Sequence, residues 1–225
     1  MRRSALDYVL ELRNESALLD GWELYVQHGM WKIFRRPALS LNPALYLYRA
    51  IGGWNNIKPE ILAEVYLDLD YRETWDNYML SHQVITNDSS ETDAMVCHHY
   101  ELRYPWPLSN RDYVYQVQRK TVQHQGKRYE VIMAESVTAA MNYPERKGVI
   151  RIDTYFQSMC LTADSSGEGC SVLMDYYDDP KGRIPSTVVN WAARTGVPSF
   201  IDTLEQACLK YQQRHPCPIS DEKND

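Results

Sequence analysis

The densest group of chemically useful side chains lies between Tyr66 and Tyr78. Arg72 and Asp76 stand four residues apart there, and four aromatic residues share the thirteen positions (Tyr66, Tyr71, Trp75, Tyr78). On a helix surface such an ion pair contributes only about 0.3–0.5 kcal/mol. A guanidinium among aromatic rings is also a candidate phosphate ligand, because its planar fork matches phosphate oxygens. Both interpretations stay open.

A second polar pattern lies in the run from Val149 to Thr162, which is typical of one long strand. Alternation places Arg151, Asp153, Tyr155 and Gln157 on the same face of that strand. Such a face is usually exposed to solvent. It would equally suit a cavity that has to satisfy a polar ligand.

Signatures of catalysis are missing from the sequence. There is no Gly-x-Ser-x-Gly, Walker, Rossmann or His-Glu-x-x-His motif. His98 and His99 are adjacent on a predicted strand, so they point to opposite faces and cannot share a metal ion. Asp178 and Asp179 precede Pro180 in a turn-like context and are expected to be solvated. The sequence thus predicts a protein that is not an enzyme and needs no metal or cofactor.

Charge and hydropathy exclude further classes. A net charge of −6 argues against a nucleic-acid partner. The longest run without a charged residue is 12 residues, from Pro37 to Tyr48, which is too short to span a membrane. The first residues contain no apolar run of signal-peptide length, so we do not expect secretion, and the five cysteines lack Cys-x-x-Cys spacing. We therefore expect a cytoplasmic protein with reduced thiols.

Tyrosine is unusually abundant, with 17 Tyr and 6 Trp beside only 3 Phe. A tyrosine side chain combines an apolar ring with a polar tip, which suits an interface or a cavity for an amphiphile. Tyrosines at the edges of a sheet would account for the composition as well.

The order of elements predicts an α+β fold, because no helix separates the later strands and they should therefore pair antiparallel. Helices are expected over Ser4–Leu19, Glu60–Tyr66, Tyr71–Met79 and Ser186–Gln213. Strands are expected over Trp22–Val26, Trp31–Arg35, Leu45–Ala50, Gln83–Thr86, Ala94–Leu102, Tyr113–Thr121, Arg128–Val137, Val149–Thr162 and Ser171–Asp178.

The last helical region contains two residues that disfavour a continuous helix, Gly196 and Pro198. Two helices meeting at a corner would explain them, and so would a hinge that lets the C-terminal part lift. An apolar stripe runs along the helix after this point (Val197, Ile201, Leu204, Cys208, Tyr211).

Several of these segments together resemble the START (steroidogenic-acute-regulatory-related lipid-transfer) domain, and most closely its phosphatidylcholine-carrying members. The similarity runs from about Trp22 to Tyr211. The segments that carry it are Ala63–Tyr66, Asp70–Asp76, Tyr104–Tyr115 with its Pro-flanked Ser-Asn-Arg-Asp-Tyr run, Gly148–Arg151, Ile184–Ser186, Asn190–Ala193 and Gly196–Pro198.

The resemblance implies a helix-grip fold, in which a long C-terminal helix closes a curved antiparallel sheet over an internal lipid cavity. The chain has no internal repeat and no linker-like run, so we expect one domain over residues 1–215, with an N-terminal helix over 1–20 and a disordered tail over 216–225. The first twenty residues match the family poorly, and nothing is carried over to them. The resemblance also implies functional residues: a phosphate ligand, Arg72, with its neighbour Asp76; a choline cage of Tyr100, Tyr113 and Tyr155; and glycerol-ester contacts from Tyr66 and Gln157. The family has Trp at the position of Tyr100, and Tyr is the weaker partner for a cation.

Release of a lipid requires a gate, and we place it at Trp106, Gly196 and Pro198, where the protein would touch a membrane transiently. The expected function is a monomeric cytosolic carrier of one phospholipid, phosphatidylcholine. Two alternatives remain. One is a START domain for another lipid (phosphatidylethanolamine, ceramide or a sterol), and the other is a lipid-sensing adaptor that acts through a protein partner such as an acyl-CoA thioesterase.

Overall fold

The computed structural model describes residues 4–13, 19–85, 97–137 and 143–215. The helices are α1 (Ala5–Arg13), α2 (Pro59–Leu67), α3 (Leu69–Glu73), α4 (Ser186–Trp191) and α5 (Val197–Arg214), with a π-helical turn at Ala192–Gly196 between the last two. The strands are β1 (Glu23–His28), β2 (Trp31–Ala38), β3 (Asn42–Trp54), β4 (Met79–Ile85), β5 (Cys97–Leu102), β6 (Asn110–His124), β7 (Lys127–Ser136), β8 (Val149–Ile152), β9 (Tyr155–Ala163) and β10 (Cys170–Asp178). Of the expected N-terminal helix, residues 1–3 and 14–18 lie outside the described residues, and residues 19–20 form a turn instead of helix. The expected tail at 216–225 also lies outside the described residues.

The ten strands form one curved sheet in the order β1-β2-β3-β10-β9-β7-β6-β5-β4, with β8 paired to β6. Helix α5 packs across its concave face through the predicted apolar stripe, of which Ile201, Leu204 and Cys208 are buried. The hydroxyl of Tyr71 donates to the carbonyl of Ala207, which ties α3 to α5. The predicted α+β helix-grip architecture is confirmed. No helix in the described part of the chain is long and apolar enough to cross a membrane.

Strand directions bring several connections to one end of the sheet, here called the loop end. Strand β10 ends there at Asp178, opposite Tyr155 at the start of β9, and β6 begins there after the connection at 103–109. Arg111 donates to the carbonyls of Pro180 and Lys181, which ties the two connections together. The turn between β1 and β2, which carries Met30, lies at the opposite end.

The helix predicted over Tyr71–Met79 is wrong beyond its first turn, because α3 ends at Glu73 and Met79 already belongs to β4. Side chains form hydrogen bonds with backbone groups that would pair with one another in a longer helix. The Thr74 hydroxyl donates to the carbonyl of Tyr71, and an Asp76 carboxylate oxygen accepts from the Tyr78 amide. Such local bonds compete with helical hydrogen bonds and end the helix.

The single strand predicted over Val149–Thr162 is two strands. The chain leaves β8 at Ile152 and enters β9 at Tyr155, and Asp153 between them binds the ammonium of Lys181 at 2.9 Å. The two pieces then take different partners. Strand β8 pairs with β6 in parallel, the one parallel pair among the described strands, whereas β9 pairs with β7 and β10.

The helical backbone is not interrupted before Pro198, because Ala192, Gly196 and Val197 all keep right-handed helical φ and ψ angles. A π-helical turn joins α4 to α5, and within it the Val197 amide donates to the carbonyl of Ala192, five residues earlier. Pro198 has no amide hydrogen, so a regular helix would lose the bond to the residue four positions before it. The wider π turn absorbs that loss while the helical direction continues.

We predict that Gly53→Ala destabilises the protein by at least about 2 kcal/mol. Gly53 has φ +153° within β3, and a Cβ there would overlap the carbonyl oxygen of Cys170 on β10. Gly167→Ala is the control, since Gly167 also has positive φ (+79°) but a methyl group added there would meet no atom within 4 Å; it should cost only about 1 kcal/mol. Urea unfolding of both variants measures the difference, and equal losses would contradict the close approach of the two strands.

Candidate functional site

A cavity of about 230 Å³ lies between the concave face of the sheet and helices α2, α3 and α5. Six of the residues predicted to contact a ligand line it: Tyr66, Arg72, Tyr100, Tyr113, Tyr155 and Gln157. The other lining residues are Leu67, Leu69, His98, Leu102, Tyr115, Val117, Ile132, Ala134, Met174, Tyr176 and Phe200. The fold therefore gathers residues from five strands and three helices around one space.

Arg72 is the cation of this cavity. Its side chain is only 13% exposed, and its Nε donates to an Asp76 oxygen at 2.9 Å. Aromatic rings surround the guanidinium, with the centroids of Tyr66 at 5.0 Å and Tyr100 at 5.4 Å. Its two Nη groups donate to no acceptor among the described residues. The site thus presents unused guanidinium donors to the cavity.

The groups around Arg72 keep its guanidinium charged. Burial by itself would lower the pKa of Arg72, but the oxygens of Tyr100, Tyr66 and Asp76 raise that pKa well above its ordinary value. Asp76 is 4% exposed and accepts two further hydrogen bonds, from the Tyr78 amide at 3.0 Å and the Tyr100 hydroxyl at 3.4 Å. A buried carboxylate of this kind is costly unless its partner remains charged.

Tyrosine rings form the wall next to Arg72. Tyr155 lies at the centre and meets Tyr113, Tyr115 and Tyr176 edge to face, at centroid distances of 5.3, 5.8 and 5.9 Å. Tyr100 and Tyr113 are neighbours across β5 and β6, 6.2 Å apart. Burial raises the pKa of all five hydroxyls, so they are neutral. The wall offers polarisable ring faces without adding charge.

The two residues expected at a glycerol ester bind each other. Gln157 donates through Nε2 to the Tyr66 hydroxyl at 2.7 Å, and Tyr155 donates to the Gln157 amide oxygen at 3.2 Å. This chain links helix α2 to strand β9. Its groups are satisfied internally and can exchange these bonds for an ester oxygen of similar strength.

Eleven lining residues were not predicted as ligand contacts, and four of them carry aromatic or imidazole rings: His98, Tyr115, Tyr176 and Phe200. Alternation along β5 and β6 could have found two of them, because His98 lies two residues from Tyr100 and Tyr115 two residues from Tyr113. The prediction that His98 and His99 face opposite ways is confirmed: His98 stacks on Tyr115, whereas His99 binds Asp112 at 3.0 Å. Phe200 reaches the cavity only because α5 crosses the sheet.

The expected solvation of Asp178 is wrong. Its carboxylate accepts from the Tyr113 hydroxyl at 2.7 Å, and burial raises its pKa, against the lowering effect of hydrogen bonds from Tyr113 and Tyr176. The sequence placed Asp178 in a turn before Pro180. It is instead the last residue of β10, beside the tyrosine wall.

The expected common face for Arg151, Tyr155 and Gln157 is wrong as well, because the break at Asp153 interrupts the alternation. Arg151 does not line the cavity but binds Asp112 with two hydrogen bonds, at 2.9 and 2.8 Å. Burial alone would raise the pKa of Asp112, but hydrogen bonds from His99 and Arg151 lower it to about 2. This buried network supports β5, β6 and β8 from behind.

The expected gate residues lie around the loop end and the π turn. Trp106 is 92% exposed in the connection between β5 and β6. Gly196 is buried, and a Cβ there would lie 3.2 Å from the ring of Trp191. Pro198 lines a second hollow, beside β1, together with Tyr25 and Arg194.

Comparison with known proteins gives one consistent result. The START domain family model matches residues 5–214. Phosphatidylcholine transfer protein of Rattus norvegicus is 37% identical over 204 residues, 91% of each chain, and that of Homo sapiens is 36% identical over the same shares. The mitochondrial StAR-related lipid transfer protein 7 of Mus musculus is 28% identical over 84% of this chain and 49% of its own.

Solved structures share the fold. A crystal structure of human STARD10 superposes with a TM-score of 0.73 at 24% identity, covering 96% of this chain and 84% of its own. Human StAR-related lipid transfer protein 5 gives 0.72 at 18% identity, covering 92% and 94%.

We predict that Arg72→Met alone destabilises the protein by about 3–5 kcal/mol, because it leaves Asp76 buried without its cation. The double variant Arg72→Met/Asp76→Asn should recover most of that loss, since it removes both charges. Urea unfolding of the two single variants and the double variant completes the cycle. Additive losses would show that the two charges are not coupled.

Proposed function

The chain belongs to the START domain family, and we propose that it takes up one molecule of phosphatidylcholine in its cavity and carries it between membranes. The relatives at 36–37% identity are named transfer proteins for this lipid. The observation that carries the proposal is the guanidinium of Arg72, which is charged, largely buried and supplied with donors that the protein does not use. A buried site of this kind calls for an anion.

Phosphate is the anion that fits. A guanidinium already bound to one carboxylate through Nε can still present its Nη groups to phosphate oxygens in a forked arrangement. The charges of Arg72 and Asp76 sum to zero, and so do the charges of the phosphate and the ammonium in a zwitterionic head. Binding therefore adds no net charge to the interior, which keeps the cost of burial low.

The ammonium end of the head would lie among Tyr100, Tyr113 and Tyr155. A quaternary ammonium has no N–H to donate, so ring faces suit it, at about 0.5–2 kcal/mol for each well-placed ring. Phosphatidylethanolamine would bring three N–H donors into the same wall and leave them poorly satisfied. Because START members that bind phosphatidylcholine have Trp where this chain has Tyr100, we expect a smaller preference for choline than in those members.

The glycerol esters would lie beside Tyr66 and Gln157, which then turn from each other towards the ester oxygens. Acyl chains would follow the apolar part of the lining, formed by Val117, Ile132 and Met174. Burial of a methylene group is worth about 0.8 kcal/mol, in a bilayer and in a protein alike. Chain burial then nearly cancels on transfer, and the head group decides which lipid is retained.

The cavity has to enlarge for this function. Its volume of about 230 Å³ is below the roughly 300–1,000 Å³ of pockets that enclose drug-sized ligands, and a lipid with two acyl chains is larger than those. Helix α5 is the movable wall that we propose, since it contributes Phe200 to the lining and follows the π turn. Gly196 and Pro198 would serve as its hinge.

The loop end is the membrane contact that we propose. Trp106 is nearly fully exposed there, and indole rings favour the interface between lipid and water. Arg183 is exposed in the connection after β10 and can touch head groups. With a net charge of −6, adhesion should be brief, as a carrier requires.

A lipid-binding test addresses the head-group site directly. Protein purified from cells and examined by native mass spectrometry should carry one phosphatidylcholine. Arg72→Met/Asp76→Asn, which keeps the interior neutral, should lose at least about tenfold in phospholipid occupancy, because a charge-assisted hydrogen bond contributes about 1.5–3 kcal/mol. Lys210→Gln on the exposed face of α5 is the control. Full occupancy in the double variant would refute the role of Arg72.

A transfer test addresses the gate. Trp106→Ala should slow movement of fluorescent phosphatidylcholine between vesicles several-fold while leaving the amount of bound lipid unchanged, because it removes an interfacial anchor but no lining residue. Met30→Ala is the matched control, since Met30 is 57% exposed at the opposite end of the sheet. Equal rates in both variants would remove the loop from the mechanism. A protein that binds one lipid but transfers none would instead be a lipid sensor.

A further inference from the structure

A carboxylate stands at the far side of the tyrosine wall from Arg72. The Arg72 guanidinium lies over the ring of Tyr100, Tyr100 is the cross-strand neighbour of Tyr113, and the Tyr113 hydroxyl donates to Asp178 at 2.7 Å. The expected choline cage therefore lies between a largely buried cation and a partly buried anion. Asp178 is behind the wall, because Tyr113 and Tyr176 line the cavity in front of it.

Protein cations do not neutralise Asp178 by direct contact. Within the described ranges no basic side chain forms an ion pair with it. The charge of Arg111 acts on it, but Arg111 donates to the carbonyls of Ser109, Pro180 and Lys181 and lies 4.2 Å from the ring centroid of Tyr104. The Arg111 guanidinium therefore links the connection before β6 to the connection after β10. The negative potential of Asp178 is thus left to act on the tyrosine wall.

On the basis of the proposed function, we propose that Asp178 determines head-group specificity as a positioning residue that acts through Tyr113 and Tyr176. The separation of charge across the wall is complementary to a zwitterionic head: phosphate towards Arg72 and ammonium towards Asp178. A carboxylate that accepts from a phenol also makes the ring richer in electrons, which strengthens its attraction for a cation. The same charge disfavours a head that carries only negative charge.

A purely structural role for Asp178 makes a different prediction. In that case the carboxylate serves only as the acceptor that orients the Tyr113 hydroxyl. Asp178→Asn keeps an acceptor oxygen at the same place and removes the charge. It therefore separates the electrostatic effect from the anchoring effect.

The experiment offers the protein vesicles with equal amounts of phosphatidylcholine and phosphatidylglycerol of identical acyl chains, and native mass spectrometry gives the ratio of the two bound lipids. Asp178→Asn should lower the ratio of phosphatidylcholine to phosphatidylglycerol on the order of tenfold, the effect of one unit charge several ångströms from the ligand. Total occupancy should stay near one lipid per protein. Thermal unfolding reports whether each variant is folded, and Asp178→Ser is a second neutral variant should Asp178→Asn fail to fold.

Two controls complete the design. Asp178→Glu keeps the charge and should retain most of the wild-type ratio. Asp179→Asn removes a neighbouring carboxylate that accepts from the Lys181 amide, and it should leave the ratio unchanged. An unchanged ratio in the neutral variants, or an equal fall in Asp178→Glu, would overturn the proposal and leave Asp178 as an anchor. Wild-type protein that takes up neither lipid would overturn the proposed function itself, which is a distinct result.

Discussion

The ion pair between Arg72 and Asp76 is the constraint on which the structure depends. A guanidinium and a carboxylate enclosed by protein are tolerable only together and only with further hydrogen bonds. Asp76 obtains those bonds from Tyr78 and Tyr100, whereas Arg72 keeps donors in reserve. The interior is thus organised around a cation whose coordination the protein leaves incomplete. This incomplete coordination is the observation that supports the proposed ligand site.

The sheet and the C-terminal helix each supply half of the enclosure. Alternation along the strands sends Tyr113 and Tyr155 inward, while the outward residues Asp112 and Arg151 form a separate buried network. Helix α5 closes the other side through its buried apolar stripe, which includes Ile201, Leu204 and Cys208. Two polar contacts add to this packing: the Tyr71 hydroxyl donates to the carbonyl of Ala207, and His28 binds Asp202 at the surface. The movement of α5 that we propose would separate these contacts while leaving the pairing between strands in place.

The proposed hinge and the proposed membrane contact both lie on irregular segments of the chain. The π turn before α5 lets Pro198 sit within a continuous helical path, and π turns of this kind are frequent at functional sites. The exposed Trp106 lies on a connection that Arg111 fixes to the segment after β10. Opening of the helix and contact with a membrane would then occur at neighbouring parts of the molecule.

The sequence by itself determined the α+β class, most of the strands, the amphipathic face of α5 and the family resemblance, because each depends on local periodicity or on a motif of adjacent residues. It also indicated Arg72, Asp76 and the tyrosines at 100, 113 and 155. Only the tertiary structure determined where the side chains of Arg151 and Asp178 lie and what they contact. The break at Asp153 places Arg151 on a separate strand, β8, which pairs with β6, and the Arg151 side chain does not line the cavity. In the folded sheet Asp178 accepts a hydrogen bond from Tyr113. Alternation of side chains can be predicted only within one uninterrupted strand. The environment of the Asp178 carboxylate instead depends on Tyr113, which lies sixty-five positions away in the chain.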